Sequence, residues 1–309
     1  MADKPAKQGL FSNLSDSLAA RRSALISLGI LIGFGLLANQ IWKSSAPGVS
    51  RDARYRITAA NLNVTTPPPW VRGDIAGEAL RNAGLSNTLS LLDPPERLEQ
   101  PLQQALERHP WVRSVGAIEK AASKVIRIAL EYRRPIATIK LAGNVATLDA
   151  DAVLLPPGAL SAPEVSHLPR IKITPAGAPP RLGEPWPSPE IAGATALVAA
   201  LGPAWRELDF FEISSAATPE VRGFARHHVY ELRTTYNTRI AWGAAPGFAP
   251  PGEASVAEKL SRLRKFVAEH GPFTSVADSP EWIDIRSRTT ARRRIVKNES
   301  PDSADEIVK

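Results

Sequence analysis

"VIRIALEYRRPIATIK", residues 125–140, is the stretch on which the fold turns. Ile126, Ile128, Leu130 and Tyr132 alternate with Arg127, Ala129 and Glu131, the period-two pattern of a half-buried strand. Arg133, Arg134 and Pro135 interrupt it, and an extended pattern resumes over Ile136, Ala137, Thr138 and Ile139. Proline cannot donate to a ladder and belongs at a strand start, an edge or a joint. With no Asn-Gly or Gly-Gly hairpin signal at this point, the corner reads as a joint between two domains.

Upstream of the corner, residues 55–64 read as a strand. Residues 74–83 read as a short helix that Asp74 caps and Gly84 ends, with Ile75, Ala79 and Leu80 on one face. Asp93-Pro94-Pro95-Glu96 is a second helix start, followed by Leu98, Leu102, Ala105 and Leu106 at helical spacing. Pro101 argues against one continuous helix, so a turn is expected first and the main helix over 101–108. Strands are expected at 111–120 and 124–132. The order is strand, helix, helix, strand, strand, in which two singly striped helices cover one face of a small sheet.

Downstream, short extended runs alternate with turns at 145–148, 152–155, 171–173, 208–213, 229–234 and 239–242, with a final strand at 282–286. Helices are expected at 191–201 and 255–270. In the second, Val256, Leu260, Leu263 and Val267 oppose Glu258, Lys259, Arg262 and Lys265. The 28 prolines in 309 residues are about twice the usual share, which favours short strands and turns over a helical bundle. The class is α+β.

Residues 23–42, "SALISLGILIGFGLLANQIW", carry no charge and match the ~20 residues a bilayer core requires. Trp42 suits an interfacial aromatic belt. The reading is an uncleaved anchor; a cleaved signal peptide with Ser44-Ser45-Ala46 as its small-residue site is the alternative. A short head and a long following domain place the head in the cytoplasm, since long domains translocate largely regardless of charge. With no cysteine in the chain, disulfides, thiolate nucleophiles and zinc–cysteine sites are excluded.

The anchor, the strand-helix-helix-strand-strand unit, and "HPWVRSVGAIEK" followed by "IRIALEYRRPIATI" resemble the FtsQ/DivIB family of bacterial cell-division proteins. The residues that carry the likeness are Pro110, Trp111, Val112 and Val115, then Arg133, Arg134, Pro135, Ile136 and Ala137. "VATLDADAVLLP", "YELRTTYNTRIAWG", the helix containing "KLSRL" and "WIDIR" follow in the family's order. The chain departs from the pattern at Ala121-Ala122, where the family often has Trp-Pro, at Ala152, where it has glycine, and at Ser287, where it often has tyrosine.

The residues themselves divide the chain into a cytoplasmic head (1–22), a transmembrane helix (23–42), a linker (43–54) and, past the last strand, a basic and polar tail (288–309) whose low hydrophobic content predicts disorder; the resemblance, which spans about 20–286, implies a POTRA domain (55–133) and a β domain (134–287). Arg133, Arg134 and Pro135 would form the POTRA/β-domain junction. It implies a non-enzymatic, single-pass scaffold of the divisome in the inner membrane, with its main domains in the periplasm at the division site. Such a scaffold binds FtsB/FtsL-like bitopic proteins and helps regulate septal peptidoglycan synthesis. A POTRA-bearing component of protein export or outer-membrane assembly is the alternative.

An enzyme needs a constellation of reactive groups. The chain has no GxSxG, HExxH or GxxxxGK[ST]. His227 and His228 are adjacent, so on a strand they point to opposite faces. Asp149 and Asp151 could pair as carboxylates, but the resemblance makes them turn residues. No catalytic residue, metal site, cofactor, nucleic acid or small-molecule substrate is expected, despite the net charge of +7. The expected partner surface is the last strand and its exit, Trp282, Ile283, Asp284, Ile285, Arg286 and Ser287. A last strand without a successor leaves backbone groups open to another chain, and Arg286 would meet an acidic residue on it; the alternative is that the tail folds back and covers the edge.

Overall fold

The computed structural model describes residues 26–41, 43, 52–121, 124–158, 160–174, 177–216, 220–222, 225–276, 278–286 and 289–292. Residues 26–41 form helix α1, whose apolar side chains are exposed, among them Leu31, Phe34 and Leu36. Among the described residues no helix is long and apolar enough to cross a membrane. The expected span 23–42 extends past them at both ends, since residues 23–25 and 42 lie outside. The expected head 1–22 also lies outside the described residues, as does much of the linker.

The N-terminal unit is built as its periodicities require. Its sheet has the order β1-β3-β2, with β3 (Ile126–Tyr132) central, parallel to β1 (Leu62–Val64) and antiparallel to β2 (Val112–Lys120). Ile126, Ile128 and Leu130 face the core, while Arg127, Ala129 and Glu131 face outward. Helix α2 (Ile75–Asn82) starts where the Asp74 carboxylate accepts from the Gly77 N–H at 2.9 Å. Helix α3 (Pro95–Glu107) buries Leu98, Leu102, Ala105 and Leu106.

Two expectations are corrected here. Helix α3 runs unbroken through Pro101. A mid-helix proline costs about 3 kcal/mol, but burying each leucine of the stripe returns roughly 1.5–3 kcal/mol. The expected strand 55–64 shrinks to Leu62–Val64, because one 3-10 turn, Ala53–Tyr55, ends at its start and another, Ala59–Asn61, interrupts it.

The C-terminal unit is a nine-stranded sheet in the order β14-β13-β12-β11-β8-β7-β4-β5-β6. The strands are β4 (Ala137–Leu141), β5 (Asn144–Leu148), β6 (Leu154–Leu155), β7 (Arg170–Lys172), β8 (Phe210–Ser215), β11 (Val229–Thr234), β12 (Arg239–Ala244), β13 (Trp282–Asp284) and β14 (Thr290–Arg292). A short hairpin, β9 (Glu220–Arg222) with β10 (Ala225–His227), stands between β8 and β11.

The short α4 (Ala162–Ser166) precedes β7, and α5 (Pro189–Leu201) and α6 (Ala204–Glu207) cross from β7 to its parallel neighbour β8. Helix α7 (Val256–His270) crosses from β12 to the parallel β13. Parallel neighbours need such crossovers. Ile191, Leu197, Leu201, Leu263 and Phe266 share one core with Ile213, Leu232, Ile240 and Trp242 of the sheet. Gly193 leaves room in α5 for the Tyr230 hydroxyl, which a Cβ would strike; that hydroxyl donates to the Glu190 carbonyl at 2.8 Å.

Candidate interaction site

The Arg-Arg-Pro corner is a locked joint. Arg133 is half-buried, Arg134 exposed and Pro135 buried. Arg133 Nη1 lies 2.7 Å from Asp149 Oδ2, with side-chain exposures of 15% and 4%. The other oxygen, Asp149 Oδ1, accepts from the N–H groups of Asp151 at 2.9 Å and Val153 at 2.8 Å. The Arg133 carbonyl accepts from Trp70 Nε1 at 3.0 Å. Arg113 spans the joint, with Glu131 at 3.2 Å on its own sheet and Asp151 at 3.1 Å on the following unit. Asp149 and Asp151 are thus turn and joint residues.

Apolar packing reinforces the polar lock. Val153 and Leu155 belong to the same core as Trp111, Leu102 and Leu106, while their neighbours Ala152 and Leu154 face the core of the large sheet. This alternation needs Ala152 at φ +59°, a left-handed conformation that costs an L-residue roughly 1–2 kcal/mol. The Asp149 hydrogen bonds hold it there.

At the other end, β13 pairs with β12 in parallel, Trp282 opposite Arg239 and Ile283 opposite Ile240. The expectation that β13 ends the sheet is overturned. Strand β14 lies antiparallel against it, with Trp282 opposite Arg292, Ile283 opposite Ala291 and Asp284 opposite Thr290. Residues 290–292 of the expected disordered tail are therefore a strand; 293–309 lie outside the described residues. A three-residue ladder satisfies backbone groups without burying side chains, and all three β14 residues are exposed.

The six expected partner residues divide accordingly. Ile283 and Ile285 are fully buried in the core, so their side chains hold the strand and do not meet a partner. The Ile285 N–H turns inward as well, toward the Ala241 carbonyl at 3.4 Å. Arg286 does not wait for an acidic residue from outside: its Nη2 lies 2.9 Å from Asp284 Oδ2, and its backbone N–H donates to Asp284 Oδ1 at 2.9 Å. Burial works to raise the Asp284 carboxyl, and the Arg286 hydrogen bonds outweigh it and leave it below 3.8. Trp282 is half-buried, with the Arg292 guanidinium 5.9 Å from its ring. Ser287 lies outside the described residues.

Helix α7 fixes this strand from behind. Arg262 Nη1 donates to the carbonyls of Ile285 at 2.9 Å and Arg286 at 3.2 Å. Lys259, 2% exposed, lies 2.5 Å from Glu253 Oε1, which also accepts from the Ala244 N–H at 2.8 Å. Desolvation pushes the Lys259 ammonium below its usual 10.5. Periodicity placed Lys259 on the polar face of its helix; burial places it beside Trp242, 5.1 Å from the ring. The alternative for the tail, that it folds back over this edge, is what β14 does; the adjacent β-branched Thr289 and Thr290 were the signal for its place.

The two adjacent histidines have separate surroundings. His227 Nδ1 lies 3.0 Å from the Phe248 carbonyl, and His228 Nδ1 lies 3.2 Å from Glu190 Oε1. Among the described residues no cluster of three or more His, Asp or Glu could hold a metal ion. Compared with known proteins, the chain matches no family model and no curated relative.

Proposed function

We propose that the chain is a non-enzymatic bitopic scaffold of the bacterial divisome, of the FtsQ/DivIB kind. Its POTRA domain and β domain stand in the periplasm, and it binds FtsB/FtsL-like bitopic proteins and helps regulate septal peptidoglycan synthesis. The observation that carries the reading is the β-α-α-β-β unit with sheet order β1-β3-β2, joined at Arg133 and Pro135 to a sheet that ends, among the described residues, in β13 and the three-residue β14. The anchor reading draws support from α1: exposed Leu31, Phe34 and Leu36 suit lipid, and residues 23–42 are uncharged and long enough to span. The partner is recognised as an added strand, with main-chain hydrogen bonds supplying affinity.

A fluorescent fusion imaged during growth tests the role. Enrichment at mid-cell or a bud neck is the expected result; a uniform envelope signal overturns it in favour of export or outer-membrane assembly. In the same cells the full-length chain is expected to stay with the membrane pellet at alkaline pH, and a mature chain starting near Pro47 would overturn the anchor.

A further inference from the structure

We infer that β14 is a detachable strand: it occupies in cis the position on β13 that a partner strand takes in trans, and so sets how readily the partner binds. The inference rests on the proposed reading of this edge as a strand acceptor.

The two sides of β13 are built very differently. On the inner side, β12, the buried Ile283 and Ile285, and the two Arg262 hydrogen bonds hold the strand in place. The acceptor is therefore preformed, whatever lies on its outer side. On that outer side, β14 contributes three paired residues, all exposed. Its side-chain contacts are slight. Ala291 offers one methyl opposite Ile283, and Arg292 sits 5.9 Å from the Trp282 ring, at the outer limit of a cation–π contact. A strand so held exchanges far more readily than the core behind it.

The same register describes the strand that would replace it. It runs antiparallel to β13 and places a cation opposite Trp282 and a hydroxyl opposite Asp284, as the cis strand does. The position opposite Ile283 sets no side-chain requirement, because Ile283 is already fully buried. Cis occupancy lowers the apparent affinity for the trans strand in proportion to the fraction of chains whose edge is open. It also shields an exposed edge from unwanted pairing when no partner is present.

The test uses the chain's own strand as the probe. A fluorescently labelled synthetic peptide of residues 289–298 is titrated against the full chain in detergent, and against the same chain stopped after Arg288. Fluorescence anisotropy is expected to show at least about tenfold tighter binding to the shortened chain. A charge-matched peptide carrying Thr290→Pro is expected to bind neither, which separates strand addition from attraction of a basic peptide. Equal affinity for the two chains, or equal binding of the proline peptide, overturns the inference. The fusion imaging decides the division reading independently. A peptide switch in a chain with uniform envelope fluorescence supports the exchangeable strand and removes the division role, and mid-cell enrichment without the switch does the reverse.

Discussion

Replacing Asp149 by asparagine isolates the ion pair that locks the two units. The amide keeps an oxygen for the Asp151 and Val153 N–H groups but presents no charge to Arg133 Nη1, 2.7 Å away. Breaking a buried pair from one side typically costs about 3–5 kcal/mol. The lower end applies here, because Asp151 Oδ2 stands 3.7 Å from the same nitrogen and is half-exposed, so Arg133 keeps a weaker partner. Asp149→Asn is therefore expected to cost about 3 kcal/mol. Asp149→Ala, which also orphans two N–H groups, is expected to cost at least ~1 kcal/mol more. Arg133→Met leaves Asp149 with its two backbone donors and is the milder change. In a double-mutant cycle the Asp149→Asn and Arg133→Met pair should show a coupling of about 2 kcal/mol. Urea denaturation of the full chain in detergent, followed by tryptophan fluorescence, reads all four corners. Coupling below ~0.5 kcal/mol, or an Asn variant equal to the Ala variant, would show that the joint is held by packing alone.

Other outcomes follow from the same structure. Trp111 is 4% exposed and shares its core with Leu102, Leu106 and Val153; Trp111→Ala should cost about 3–5 kcal/mol and split unfolding into two steps, so one unchanged transition would refute its burial. Ala152→Val puts a β-branched residue at φ +59° and should cost over ~2 kcal/mol in the same denaturation assay; a neutral result would mean the turn is not left-handed. Because the Lys259 ammonium is held below 10.5 in the folded chain, the unfolded chain binds the extra proton between the lowered value and 10.5. Stability therefore rises with pH across that window. Lys259→Met should lose this slope, and matching slopes in both chains would remove Lys259 as its source.

What the sequence made readable is what burial writes into it. The alternation of Ile126, Ile128 and Leu130 marks a face, and so do the stripes of α2 and α3, because each apolar side chain must leave water. The cap residue Asp74 was readable for a related reason: orphan N–H groups at a helix start need a local acceptor, and its side chain supplies one. Pro101 misled because propensity is a local cost and the leucine stripe a tertiary gain. The 55–64 strand failed in the opposite way. Ile57 is fully buried, so its hydrophobic signal was genuine, but it reports burial and not the extended backbone inferred from it.

The candidate site falls on both sides of this line. Trp282 to Ile285 could be found as a strand because Ile283 and Ile285 enter the core. What lies beside that strand could be framed only as two alternatives, an open edge or a tail folded back over it, since pairing along an edge is made by backbone groups that every residue carries. Strand β14 buries no side chain, and a tail of arginines and threonines reads as solvated. The joint obeys the same logic. Asp149 and Asp151 carry one signal, two carboxylates two positions apart, yet one is buried against Arg133 and two N–H groups and the other is half-exposed between Arg113 and Arg133. Their difference is created by the arginines that the fold brings across from the first unit. Both functional proposals thus rest on the same kind of contact, one between a buried, locally readable anchor and an exposed, non-local partner. Deleting residues 289–309 leaves the anchor Ile283 and Ile285 in place and removes β14, which is why that truncation tests the edge without disturbing the core that builds it.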